Sequence, residues 1–145
     1  MACEQVASEG PSRKLPALEP DTAFFWTSGA EGVLRIQRCQ DCGHWQHPPL
    51  QLCPKCHSDA VTPAETSGLG RVLTWTVNHQ AWLPGVDPRF VFAAIELDEQ
   101  DELYVFSNVL APPEAVHKGV RVEVCFEQCE DVWIPLFRPL EEATA

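Results

Sequence analysis

Residues 39–56 read Cys39-Gln40-Asp41-Cys42, a ten-residue spacer, then Cys53-Pro54-Lys55-Cys56. A C-x2-C turn points two thiolates at one ion, and two such turns complete a tetrahedral S4 site, which favours zinc and also suits iron. Gly43 directly follows the first pair, where the backbone must turn and offer N–H groups to sulfur. The ribbon has almost no hydrophobic core of its own, so the metal is expected to supply its folding energy. Four cysteine ligands close the coordination sphere, which marks a structural rather than a catalytic site. His44, His47 and His57 flank the pairs and read as surface or supporting groups, since the cysteines already suffice.

Outward toward the N-terminus, Val33-Leu34-Arg35-Ile36-Gln37-Arg38 reads as a strand running into Cys39. Before it, Asp21 or Thr22 can cap a short helix carrying Phe24, Phe25 and Trp26, with Gly29 and Gly32 ending it. Three consecutive aromatics on two turns cannot all face one small core. They either anchor a partner or seal the metal ribbon against the next module. Residues 1–20, rich in Ser, Gly and Pro, read as a flexible arm.

Toward the C-terminus, residues 58–68 read as a polar connector, and from Gly70 the pattern is all strand. Leu73, Trp75 and Val77 alternate with Thr74 and Thr76. Phe90 to Leu97 is so dense in apolar residues that burial on both faces, or strong coiling, is expected. Leu103–Val109, Val120–Phe126 and Val132–Phe137 follow, with Pro135 marking an edge or bulge. Five strands without intervening helices predict a partly open OB barrel. The expected fold is mostly β: a flexible arm (1–20), a short helix (21–32), a rubredoxin-like zinc ribbon (33–67), a five-stranded OB-fold barrel (68–140) and a tail (141–145).

The chain is 145 residues long with 10 Lys+Arg against 21 Asp+Glu, a formal charge of -11. That balance opposes generic nucleic-acid binding, which depends on cations neutralising phosphates. From Glu96 to Asp131 ten acidic residues stand against Lys118 and Arg121, the reverse of what a barrel face tracking a phosphate backbone requires. No stretch approaches the roughly 20 apolar residues of a membrane span. Met1 to Glu9 lacks the basic flank and apolar run of a signal peptide, so a cytoplasmic, reducing location is expected. Seven cysteines are an odd number, which excludes complete pairing within one chain. Cys3, Cys125 and Cys129 read as ordinary thiols outside the metal site. A nucleophilic role for Cys125 or Cys129 stays open, because catalytic partners need only be close in space. No Gly-rich phosphate loop, G-x-S-x-G elbow or H-E-x-x-H motif is present.

The ordered segments resemble one family. They are the Phe-Phe-Trp helix, Gly32 to Cys39, Pro48-Pro49 before Cys53, Gly68-Leu69-Gly70-Arg71-Val72, Thr74-Trp75-Thr76-Val77, Ile95 to Glu99, Gly119 to Val122, and Pro135-Leu136-Phe137-Arg138-Pro139. Across roughly residues 20–140 the chain is similar to the DUF35 zinc-ribbon/OB-fold proteins. The resemblance implies a non-catalytic accessory or scaffold subunit in acyl-CoA metabolism. Its partner would be a thiolase-superfamily enzyme, including the aldolases that shorten steroid side chains, and a MaoC-like enoyl-CoA hydratase can take part. The chain carries no hydratase segment and reads as a stand-alone subunit. It departs from the family at Gln100, where a Gly often follows the Glu. Phe24, Phe25, Trp26 and the loop residue Trp82 are the candidate partner contacts. If the subunit helps hold CoA, Arg35, Arg38, Lys55, Arg71 and Arg89 are the candidate phosphate contacts. The competing readings are a nucleic-acid-binding ribbon/OB module and a self-sufficient CoA-ester enzyme using a cysteine.

Overall fold

The computed structural model describes residues 14–82, 84–85 and 87–140. The expected tail, Cys3 and most of the expected arm lie outside these residues. A single helical turn, α1 (Ala23–Thr27), runs into a 3-10 turn at Ser28–Glu31. Thr22 stands at the N-cap without a side-chain capping bond, and Asp21 instead accepts from Gln51 Nε2 at 3.2 Å. Gly32 closes the element at φ 72°, a conformation that glycine adopts without strain. Gly29 does not end it. A Cβ there would stand 2.5 Å from Phe126 Cδ1 and 2.5 Å from Trp133 Cβ, so the missing side chain lets this turn lie directly on the barrel wall.

The ribbon is a three-stranded antiparallel sheet of β1 (Arg35–Cys39), β2 (Trp45–Gln46) and β3 (Val61–Glu65), in the order β2-β1-β3. The third strand occupies what reads in sequence as a polar connector. It is an exposed edge with Pro63 in it, and an edge strand that buries little shows no alternation. Leu34 and Ile36 are fully buried and belong to the same apolar cluster as the barrel interior. The base of the ribbon thus has no separate core.

β4 (Leu69–Asn78), β5 (Phe90–Leu97), β6 (Tyr104–Val109), β7 (Arg121–Cys129) and β8 (Val132–Pro139) form a closed barrel in the order β4-β5-β6-β8-β7. Val72, Ile95, Val122 and Phe137 fill it at 0% exposure. An irregularity at Leu73 shifts the β4–β5 register between Val72 and Thr74 and turns the second half of β4 over. The parallel seam between β6 and β8 pairs only Val109 with Phe137. Pro135 lies within β8 beside this sparse seam, where the Ser107 hydroxyl donates to its carbonyl at 2.6 Å. Of the two expectations for β5, burial on both faces or strong coiling, the first holds only in part: Val91, Ala93, Ile95 and Leu97 are buried on one face and Ala94 on the other, whereas Phe92 is 43% exposed.

Ribbon and barrel are fastened by Gln100, in the turn between β5 and β6. Its Oε1 accepts from Trp45 N–H at 3.0 Å, and its Nε2 donates to Trp45 C=O at 2.9 Å. A glycine at this position could not make that two-point contact.

Candidate metal centre

Two turns of matching geometry carry the four cysteines. In the first, Cys39 N–H donates to His44 C=O and Gly43 N–H to Cys39 C=O; in the second, Cys53 N–H donates to Ser58 C=O and His57 N–H to Cys53 C=O. Each turn requires a left-handed residue at its fifth position, and these are Gly43 at φ 79° and His57 at φ 64°. The bend aims backbone N–H groups at sulfur: Cys42 N–H to Cys39 Sγ at 3.5 Å and Lys55 N–H to Cys53 Sγ at 3.4 Å. The Ser58 hydroxyl donates to the Asp41 carboxylate and ties one turn to the other.

The four sulfurs lie within 4.8 Å of one another, with Cys39–Cys56 at 3.5 Å and Cys42–Cys53 at 3.6 Å. Metal–sulfur bonds of about 2.3 Å in a tetrahedron place sulfurs about 3.8 Å apart, so the arrangement fits one S4 ion. The electrostatics point the same way. The Cys42 N–H lowers the Cys39 thiol to about 7. Cys53 is also lowered: backbone N–H groups of Cys56 and Lys55 outweigh its burial. At Cys56 the Ser58 N–H favours the thiolate, but burial and the three neighbouring sulfurs prevail and raise it to about 12. Four thiolates this close repel one another unless a cation sits among them.

The surrounding side chains hold the centre in place. Arg38 donates from Nε to Gly43 C=O at 3.0 Å and lies 4.8 Å over the Trp45 ring. Gln37 Oε1 accepts from Gln46 Nε2 at 2.6 Å and from Leu50 N–H at 2.8 Å. His47 is packed on Phe25 at 4.7 Å, and burial pushes its pKa down to about 4.

The remaining predicted site residues do not converge. Phe25 is 6% exposed and lies in the shared core, with Phe24 and Trp26 packed partly against it. Trp82 is 73% exposed in the loop between β4 and β5. Arg35 pairs with Glu31 at 2.8 Å and Glu65 at 3.1 Å, Arg71 with Glu96 at 2.5 Å, and Arg89 with Glu114 at 2.6 Å. Lys55 is exposed beside the metal ligands. The five cations are thus spread between ribbon and barrel, and three of them already hold carboxylates.

Cys125 corrects the expectation of an ordinary thiol: it is fully buried and stands in a disulfide. The Cys129 thiol donates to Glu127 Oε1 at 3.4 Å. Among the described residues, no helix is long and apolar enough to cross a membrane.

Comparison with known proteins agrees with this architecture. Residues 26–62 match the ChsH2 rubredoxin-like zinc ribbon domain, and residues 64–127 match the ChsH2 C-terminal OB-fold domain. The chain is 32% identical to a probable enoyl-CoA hydratase alpha subunit of Thermomonospora curvata, over 88% of this chain and 40% of that protein. It is 38% identical to the 3-oxo-4,17-pregnadiene-20-carboxyl-CoA hydratase alpha subunit of Mycobacterium tuberculosis, over 58% and 27%. It therefore spans less than half the length of these two relatives. A DUF35 domain-containing scaffold protein of Methanocaldococcus jannaschii is 31% identical over 65% of this chain and 67% of its own. Among solved structures, an Ltp2-ChsH2(DUF35) aldolase superposes with a TM-score of 0.78 at 30% identity, covering 86% of this chain and 98% of the matched one. Because the two domain matches together span residues 26–62 and 64–127, the ribbon and most of the barrel, the chain belongs to the DUF35 family of zinc-ribbon/OB-fold proteins.

Proposed function

We propose that this chain is a non-catalytic accessory subunit of a thiolase-like acyl-CoA enzyme, of the steroid side-chain aldolase type, with one structural zinc. The observation that carries this reading is the likeness, along 98% of the matched chain, to a structure whose name joins Ltp2 to ChsH2(DUF35) as an aldolase. The chemistry of the chain supports it. Four sulfurs close the metal site and leave no position for substrate, and Cys125 is buried in a disulfide. The hydratase relatives carry this unit within longer chains, which supports a role beside an enzyme of CoA esters. A MaoC-like hydratase is a second candidate partner.

Any CoA contact belongs to the assembled complex. The chain carries a charge of -11, which repels an anionic ligand at long range. Arg35, Arg71 and Arg89 would have to exchange carboxylates for phosphates, whereas Arg38, on β1, holds the Gly43 carbonyl and Lys55 is exposed in the second cysteine turn.

The test is to isolate the tagged full chain from its native host and identify what accompanies it. A thiolase-superfamily subunit is expected. The reconstituted complex should turn over an acyl-CoA and bind it more weakly as salt rises, while the chain alone does neither. Acyl-CoA turnover or tight CoA binding by the chain alone overturns the reading. Tight single-stranded DNA binding would revive the nucleic-acid module.

A further inference from the structure

The barrel carries one uncharged aromatic face. Register places Thr76, Phe92 and Asn108 in one row across β4, β5 and β6, and Thr74, Ala94 and Phe106 in the next. Phe92 and Phe106 point outward at 43% and 64% exposure and stack with ring centroids 6.3 Å apart. Trp82 folds back over the end of β4 on a 2.9 Å hydrogen bond from its Nε1 to Asn78 Oδ1. Between Trp82 and the Phe90–Phe92 edge opens a cleft of about 550 Å³. Every outward position from Thr74 to Asn78, Phe90 to Ala94 and Phe106 to Asn108 is uncharged, on a chain that is 21% charged.

A solvated antiparallel face ordinarily alternates apolar-in with polar-out. Here β5 has the composition of a strand buried on both sides, yet on its outward face Ala94 is buried while Phe92 stands 43% exposed. Contiguous exposed aromatics of this kind mark interaction surfaces, and Trp and Phe are enriched at interface centres. The occupant follows from charge. No cation stands on the face to hold a phosphate backbone, so nucleic acid does not fit. A second copy would bring another -11 against the first, and like net charges oppose association. The strand ends carry acids in excess of cations: Asp87 and Glu114 at one end, where Glu114 pairs with Arg89, and Asp98, Asp101 and Glu102 at the other, where Asp98 pairs with Arg121.

We infer that the outer face of β4–β5–β6, centred on Phe92, Phe106 and Trp82, is the surface on which the partner enzyme subunit docks, through an apolar, uncharged patch rimmed by basic residues. This rests on the accessory-subunit reading and names the surface that reading requires.

The test uses the thiolase-superfamily subunit that accompanies the full chain from its host, purified separately and titrated by calorimetry. Parent, a Phe92→Ser/Phe106→Ser double variant and Trp82→Ala are compared, each checked for metal content and melting. Loss of affinity of about 100-fold in the double variant and about tenfold in Trp82→Ala, with the fold intact, is the expected result. Because Trp82 lies in a loop, its variant decides the matter should the double variant misfold. Parent-like binding by the folded variants overturns the surface and leaves the accessory role standing. A parent that binds no such subunit overturns both. Sedimentation adds a further outcome: a parent dimer broken by the double variant assigns the face to a second copy and overturns the hetero-partner.

Discussion

In the barrel, Val72, Val91, Ile95, Val122 and Phe137 are all at most 1% exposed and touch one continuous apolar interior, whereas between residues 40 and 60 of the ribbon only Trp45, Gln46 and Cys53 are buried. Burying a large apolar side chain is worth roughly 1.5–3 kcal/mol, so the barrel interior has a substantial driving force. The tip of the ribbon has two short turns, a few backbone hydrogen bonds and four sulfurs. The base of the ribbon belongs with the barrel, because Leu34 and Ile36 enter the barrel's cluster. The boundary between metal-held and core-held structure therefore falls inside the ribbon, near Cys39, and not at the junction of ribbon and barrel.

Removing the metal gives the largest expected effect. Structural zinc in small sites binds with about 10–16 kcal/mol of free energy that is also folding energy. Chelation, or Cys53→Ser, should release one zinc per chain and unfold residues 40–58, while amide exchange in β1 and the barrel stays slow. Elemental analysis without zinc, or a Cys53→Ser protein with an ordered tip, would contradict this. Next in size, Ile36→Ala should cost about 2–5 kcal/mol, as core truncations do. It should lower the melting temperature of the barrel as well as the ribbon, and a barrel that melts unchanged would move the boundary back to the domain junction.

His47 sharpens the comparison through pH. Its folded pKa of about 4 lies below the ordinary 6.5 because burial disfavours the cation, and its Nδ1 is buried without a partner. The unfolded chain therefore binds a proton that the folded chain refuses. The neutral ring contributes its full stability above about 6.5, and that contribution falls away as pH drops toward about 4, by at most about 3 kcal/mol. Urea unfolding of the parent should show this loss, and His47→Phe should lose less stability over the same window. Equal acid sensitivity in the two proteins would remove His47 as the cause. The smallest effect compares the two turns. Gly43→Ala should destabilise the tip by about 1 kcal/mol and His57→Gly should stabilise it by less, since both positions are left-handed. Chelator competition at fixed pH reads both changes, and equal metal affinity in the two variants would show that the turns are not strained.

The metal site was legible because each Cys-x2-Cys turn is local, and the sulfur geometry follows from a few backbone dihedrals. β4 and β7 were legible from period-two alternation, and β5 from its apolar density. β3 was not, because an exposed edge containing Pro63 has no pattern to read. Gly29 looked like a helix stop when its role is contact with Phe126 and Trp133, residues about a hundred positions away. Gln100 looked like a departure from a family pattern, and in the structure it grips Trp45.

The four clustered cysteines, the count of barrel strands and the acidic balance were thus determined by residue type and near-neighbour spacing, since turn geometry and strand pleat act over a few residues, whereas the barrel order β4-β5-β6-β8-β7 was not. Which aromatics are buried was decided only by tertiary structure. Phe25, Phe92 and Trp82 are alike in sequence terms, yet Phe25 packs on His47 in the shared core while Phe92 and Trp82 face outward. That difference arises from how the barrel closes and where α1 lands on it, because burial depends on every surface that meets a side chain and not on the side chain alone.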